Sequence, residues 1–215
     1  MPRVLALVLL SFVAACGTVP WAADLASDAP QLQRLQIESF KDAASYQEAL
    51  QVWRTPEDVN AWIGAKFIYD MSRALALSET QRSKSGQLSI HQPHDFFASP
   101  SGVCVDLSRF AVETLRYIDP EVKPNYLMIE FAPVDIAGST LRLHWLVSFK
   151  REGKYYVFAD SKRPGHIAGP YTSTAEFIDE YAKYRRGQII AFQELESYHR
   201  KQRTLATKQS REERP

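Results

Sequence analysis

The feature that most constrains the fold lies between Leu141 and Ser161, where LRLHWLVSFK and KYYVFADS are separated only by Arg151-Glu152-Gly153. Two runs this rich in aromatic and branched residues, joined by so short a Gly-ended link, form an antiparallel hairpin. Taken as a three-residue loop with a left-handed glycine at its end, the link makes Lys150 and Lys154 the closing pair. That register sets His144 opposite Asp160 on one face of the sheet, with Cβ atoms about 5 Å apart, whereas a slip of one residue sends them to opposite faces. His144 then shares its face with Arg142, Leu146 and Ser148, and Asp160 shares its face with Tyr156 and Phe158. The reverse side carries Leu143, Trp145, Val147 and Phe149. With apolar residues on both sides, the sheet is expected to be covered on each, and the His–Asp pair to be semi-buried rather than a solvated ion pair. NYLMIEF (Asn125 to Phe131) supplies one more strand, and QIIAF after Gly187 a last one.

Ahead of these strands the pattern is helical. Thr55 reads as an N-cap, Pro56 as the first helical residue, and Glu57 and Asp58 as first-turn acids, with Val59, Trp62, Ile63, Phe67 and Met71 as the apolar stripe. Ser78 to Gly102, rich in Ser, Gln, Gly, Pro and His, reads as one long loop, a kind of segment that is usually functional or disordered. It runs into SGVCVDLSRF. From Cys104 onward Leu107, Phe110, Ala111, Thr114, Leu115 and Ile118 fall on one stripe, so Cys104 opens the inward face of a helix capped by Ser101 or Gly102. A thiol at a helix N-terminus has its anion favoured by unpaired backbone N–H groups; Asp106 works against this, so a base is still needed. Downstream, Ser173 to Glu176 has the form of a capping box opening a late helix that ends at Gly187.

The amino terminus bears on why that thiol is there. Arg3, then a short apolar run to Val13, then Val13-Ala14-Ala15-Cys16, has the layout of an export signal over residues 1–15, too short for a permanent membrane span. VAAC resembles a bacterial lipobox, which implies cleavage before Cys16 and lipid on its sulfur; the alternative is ordinary cleavage near Ala22-Ala23. Gly17, where an Asp would mark inner-membrane retention, points to the periplasmic face of the outer membrane. Residues 16–44 read as a lipidated tether, 45–198 as one domain and 199–215 as a basic polar tail. If Cys16 is consumed by lipid, Cys104 has no intramolecular partner in an oxidising compartment. A net charge of +1 and a pI near 7.8 argue against a nucleic-acid partner. His91 and His94 lack a second ligand pair at zinc spacing, so no metal and no cofactor is expected.

The ordered set GVCVDLSRFAVETLR, LHWLVSF and GKYYVFAD, preceded by TPEDVNAWIGAKFIYD, resembles the transglutaminase-like domain, a branch of the papain-type fold, over about Gln47 to Tyr171. The resemblance implies an α+β fold, with N-terminal helices and the nucleophile helix packed on the face of an antiparallel sheet that carries His144 and Asp160. It implies Cys104 as nucleophile, His144 as general base then acid, and Asp160 as the carboxylate that orients the imidazole. Gln92 is the side-chain oxyanion candidate, beside the Cys104 backbone N–H. The expected activity is attack on peptide or protein carboxamides through a thioester, by a peptidase, amidase or transglutaminase. A non-catalytic lipoprotein serving as a peptide-binding or assembly module is the alternative.

Overall fold

The structure is a computed structural model, and it describes residues 40–81, 88–136, 138–185 and 188–199. The export signal, Cys16, the tether up to residue 39, the tail from Arg200 and the expected helix stop at Gly187 lie outside the described residues.

The fold is α+β. Helices α1 (Tyr46–Val52), α2 (Pro56–Lys66), α3 (Met71–Ala76), α4 (Pro93–Ala98) and α5 (Cys104–Ile118) come first, with two short strands, β1 (Ile68–Tyr69) and β2 (Ser101–Gly102), pairing in parallel among them. Strands β3 (Asn125–Ile136), β4 (Ser139–Arg151), β5 (Lys154–Phe158) and β6 (Ala168–Tyr171) follow, then α6 (Thr174–Arg185) and β7 (Ile189–Leu195). The sheet runs β6-β5-β4-β3-β7 with every neighbouring pair antiparallel.

The start of α2 follows its sequence signal. Thr55 Oγ1 accepts from Asp58 N–H at 3.2 Å, Asp58 Oδ2 accepts from Thr55 N–H at 3.2 Å, and Pro56 occupies the first turn. The expected stripe, however, does not run on to Met71. The helix stops at Lys66, because Ile68 donates to Pro100 O and Asp70 to Gly102 O, both at 2.8 Å, pulling the chain into the β1–β2 pair. Asp70 then caps α3, and Met71 is exposed. The stretch read as one loop likewise contains α4, which Pro93 opens and buried Phe96 fixes to the core.

Two cores flank the sheet. Tyr126, Met128, Trp145, Val147, Phe149 and Phe158 face α1, α2, α4 and α5, a core dominated by aromatic rings; Trp62 and Phe97 stack there with centroids 4.9 Å apart. On the reverse face Leu127, Ile129, Leu146 and Val157 meet Phe177, Ile178 and Tyr181 of α6. The sheet is covered on both sides, as the two apolar faces of its strands require.

The hairpin register differs from the sequence expectation by one residue. Arg151 pairs with Lys154 and Lys150 with Tyr155, not with Lys154. Glu152 (φ 51°) and Gly153 (φ 73°) form a two-residue turn with both central residues left-handed, the geometry that matches the twist of the flanking strands. Consequently Val147 pairs with Phe158, and His144 has no strand partner in β5, which ends there. The strand stops because Ala159 (φ 63°) and Asp160 (φ 68°) are both left-handed, which breaks the alternation. The expectation that α5 packs on the face carrying His144 is also corrected. His144 pairs with Ile129 and follows the phase of Leu146, both in the α6-side core, while its neighbour Trp145 belongs to the α5 side.

Candidate functional site

Cys104 is the first residue of α5 and is 4% exposed. The residue before it is Val103, whose side chain can accept nothing, so neither Ser101 nor Gly102 caps the helix as expected; both belong to β2. The end is held instead by Asp106, whose Oδ2 accepts from Val103 N–H at 3.0 Å. Gly102 is required by close approach, since a Cβ there would lie 3.0 Å from both Asp106 Oδ2 and the Phe96 ring.

Asp106 is fully buried and fully engaged. Arg73 donates to it twice, from Nε at 2.7 Å and Nη2 at 2.8 Å, and His91 N–H donates at 2.9 Å. The hydrogen bonds to Asp106, foremost, raise the Arg73 pKa further above its ordinary value. The negative charge expected to oppose a thiolate at Cys104 is therefore balanced by a guanidinium, and the ion pair ties α3, the 88–91 segment and the start of α5 together. The first N–H groups of α5 have no intrahelical acceptor and point toward the thiol end of the helix.

Cys104 forms part of the wall of a cavity of about 580 Å³, within the usual range for small-ligand and peptide side-chain sites. Leu143 and Trp145 of β4, Gln92, Arg109 of α5 and Tyr198 also line it. Of the residues singled out in the sequence, Cys104 and Gln92 thus share one cavity. His144 and Asp160 do not line it. His144 is fully buried, and its ring stacks on that of Tyr181 with centroids 6.1 Å apart and planes 15° apart. Asp160 is 4% exposed and follows β5 in the left-handed turn, next to fully buried Ser161, whose hydroxyl lies 3.4 Å from His166 O.

Two arginines escaped the sequence reading. Arg73 has no local signal connecting it to Asp106. Arg109 has one, the spacing to Glu113, which it meets through Nε at 2.8 Å. Among the described residues no group of three or more His, Cys, Asp or Glu is arranged to hold a metal ion. His94 pairs with Asp95 at 3.1 Å in an exposed contact, and His91 turns its backbone to Asp106. No helix among the described residues is long and apolar enough to cross a membrane.

A family model described as a transglutaminase-like domain matches residues 43–190, more than half of the chain. No curated protein and no solved structure matches it.

Proposed function

The chain belongs to the transglutaminase-like domain family, and on that premise we propose that it is a thiol enzyme acting on peptide or protein carboxamides at the cell envelope. The observation that carries this reading is Cys104 itself, the first residue of a buried helix in the family-matched region, at the wall of a cavity large enough for a peptide side chain. In the proposed reaction the Cys104 thiolate adds to the carboxamide carbonyl. The Cys104 N–H and the Gln92 side-chain amide hold the oxyanion, which collapses with breakage of the C–N bond, releasing ammonia or an amine and leaving a thioester. His144 takes the proton from the thiol as general base and then gives it to the leaving amine as general acid, with Asp160 fixing its tautomer. Water then gives hydrolysis, and a second amine gives transfer. Lipid on Cys16 would hold the domain at the periplasmic face of the outer membrane.

A specific observation favours the second reading, a non-catalytic module that binds peptides or assembles with a partner. His144 follows the α6 face of β4, stacks on Tyr181 and does not line the Cys104 cavity. The two readings part on thiol reactivity. For the enzyme, alkylation of Cys104 by iodoacetamide between pH 5 and 9 is expected to outpace an ordinary thiol of pKa about 8.5, and His144→Ala to slow it to ordinary behaviour. Asp160→Asn should slow it less. A Cys104 that resists labelling until the protein unfolds, with neither substitution altering the native rate, would leave only the binding module.

A further inference from the structure

We infer that Arg109 is a positioning residue that holds Gln92 as an oxyanion donor beside Cys104, an inference that rests on Cys104 being a nucleophile. Gln92 stands immediately before Pro93, at the N-cap position of α4, yet its side chain makes no capping hydrogen bond. Glutamine is a poor choice for that position, where Ser, Thr, Asp or Asn would satisfy the helix. Its side chain is engaged elsewhere: Oε1 accepts from Arg109 Nη2 at 2.5 Å. A carboxamide has one acceptor end and one donor end, so tying the oxygen leaves the NH2 as the end presented to a ligand. Both Gln92 and Cys104 line the cavity.

Arg109 is unusually well fixed for a residue in a cavity wall. Nε donates to Glu113 at 2.8 Å, Nη1 donates to Ile90 O at 2.9 Å, and the guanidinium lies over the Tyr198 ring, 4.9 Å from its centroid. Its side chain is 11% exposed. The planar fork therefore spans acceptors on two segments, where a lysine would offer only a point charge. Because Arg109 lies on the same helix as Cys104, about 7.5 Å further along its axis, it references Gln92 to the helix that carries the thiol. A clamp of this kind matters where a donor has to be aimed within a fraction of an ångström of a developing charge.

Two reactions of the same thiol separate aiming from mere support. With p-nitrophenyl acetate the thiolate adds to the ester carbonyl, the C–S bond forms and the carbonyl electrons move to oxygen. The oxyanion then collapses, breaking the C–O bond, releasing p-nitrophenolate and leaving an S-acetyl thioester. With iodoacetamide the sulfur displaces iodide at a saturated carbon, and no oxyanion forms. Gln92→Ala and Arg109→Met are each expected to slow acylation by about 10²-fold while alkylation stays within about twofold of wild type, and the double variant should be no slower than either single one. Acylation at the wild-type rate in either single variant, or a parallel loss of both reactions in Arg109→Met, overturns the proposal. If Arg109→Met does not fold, Arg109→Lys takes its place with the same selective loss expected. Wild type that is acylated and alkylated no faster than Cys104→Ser would instead overturn the nucleophile reading beneath it.

Discussion

Asp106 illustrates what one residue's neighbours do to its meaning. From sequence it is a first-turn acid whose charge opposes a thiolate two positions away; in the fold it is the acceptor for Arg73, His91 N–H and Val103 N–H. Val103 is a local partner, but Arg73 and His91 lie 33 and 15 residues before Asp106, so nothing in SGVCVDLSRF alone could have revealed the charge compensation. Its worth should be large on removal, because Arg73 has a side chain only 12% exposed and would be left as an uncompensated charge. Asp106→Ala is expected to cost about 3–5 kcal/mol in urea unfolding, whereas Glu57→Gln, which breaks a pair with Arg151 whose members are 38–51% exposed, should cost less than about 1 kcal/mol. Similar losses from the two substitutions would contradict the burial argument. His166 makes a pH prediction at the same scale. Burial, aided by Lys162 and Arg163, lowers its pKa in the folded state, so the unfolded chain takes up the proton first as pH falls. Stability is then full above the unfolded histidine value of about 6.5 and declines below it, a window separate from that of paired carboxylates such as Glu57, whose loss comes below about 4.3. His166→Gln should flatten the pH 6.5–5 portion of a melting-temperature profile and leave the acidic portion intact; an unchanged slope between pH 6.5 and 5 would refute it.

At the scale of elements, helix starts and strands were legible, while the cap of α5 and the element lengths were not. Thr55-Pro56 starts α2, Cys104 starts α5, and the aromatic runs are strands, because each signal is local and strong. The hairpin failed by one residue because Arg151-Glu152-Gly153 fits both a three-residue loop with a final left-handed glycine and a two-residue turn. The choice fell to the wider packing, which buries Phe149 and Phe158 on the α5 side. That single step reverses the phase of β5 against β4: had β5 run on, Asp160 would have joined the face of Trp145, opposite His144. Similarly, α2 ends early because the Phe67–Asp70 segment finds acceptors in Pro100 and Gly102, about thirty residues downstream, a contact no periodicity reports. The observed turn carries its own prediction. Glu152 adopts a left-handed conformation that costs a non-glycine residue roughly 1–2 kcal/mol, and Asn tolerates it far better, so Glu152→Asn should raise stability by up to about 1 kcal/mol. Gly153→Ala should lower it by about the same amount. Equilibrium denaturation of the two variants checks this, and because both turns need a left-handed Gly153, it is a destabilising Glu152→Asn that would restore the three-residue loop.

For the whole molecule, the covered sheet separates an apolar core on the α6 side from a cavity-bearing layer on the α5 side, and the chain enters on the latter. Phe40 and Ala43 already pack against the α5-side core. Trp53 Nε1 donates to Lys41 O at 2.8 Å, and Lys41 pairs with Asp58 at 2.9 Å, so the packed unit begins before residue 45. The entry point is therefore fixed to α1 and α2, and what precedes it can reach no farther than covalent geometry allows, at most about 80 Å between Cys16 and Phe40 when extended. If Cys16 carries the proposed lipid, such an anchor is separable from the domain: changing Cys16 should alter where the protein resides and nothing about how it folds or reacts. With lipid on Cys16, wild type is expected to enter the detergent phase on cloud-point extraction, since more than one acyl chain gives stable membrane attachment where a single chain is marginal. Cys16→Ser should remain unprocessed or move to the aqueous phase, with its melting temperature and the alkylation rate of Cys104 unchanged, because Arg73, His91 and Val103, which hold Asp106 at the start of the Cys104 helix, lie within the described residues. Wild type partitioning wholly into the aqueous phase would remove the lipid. A Cys16→Ser protein with altered Cys104 reactivity would show instead that the amino-terminal segment bears on the cavity.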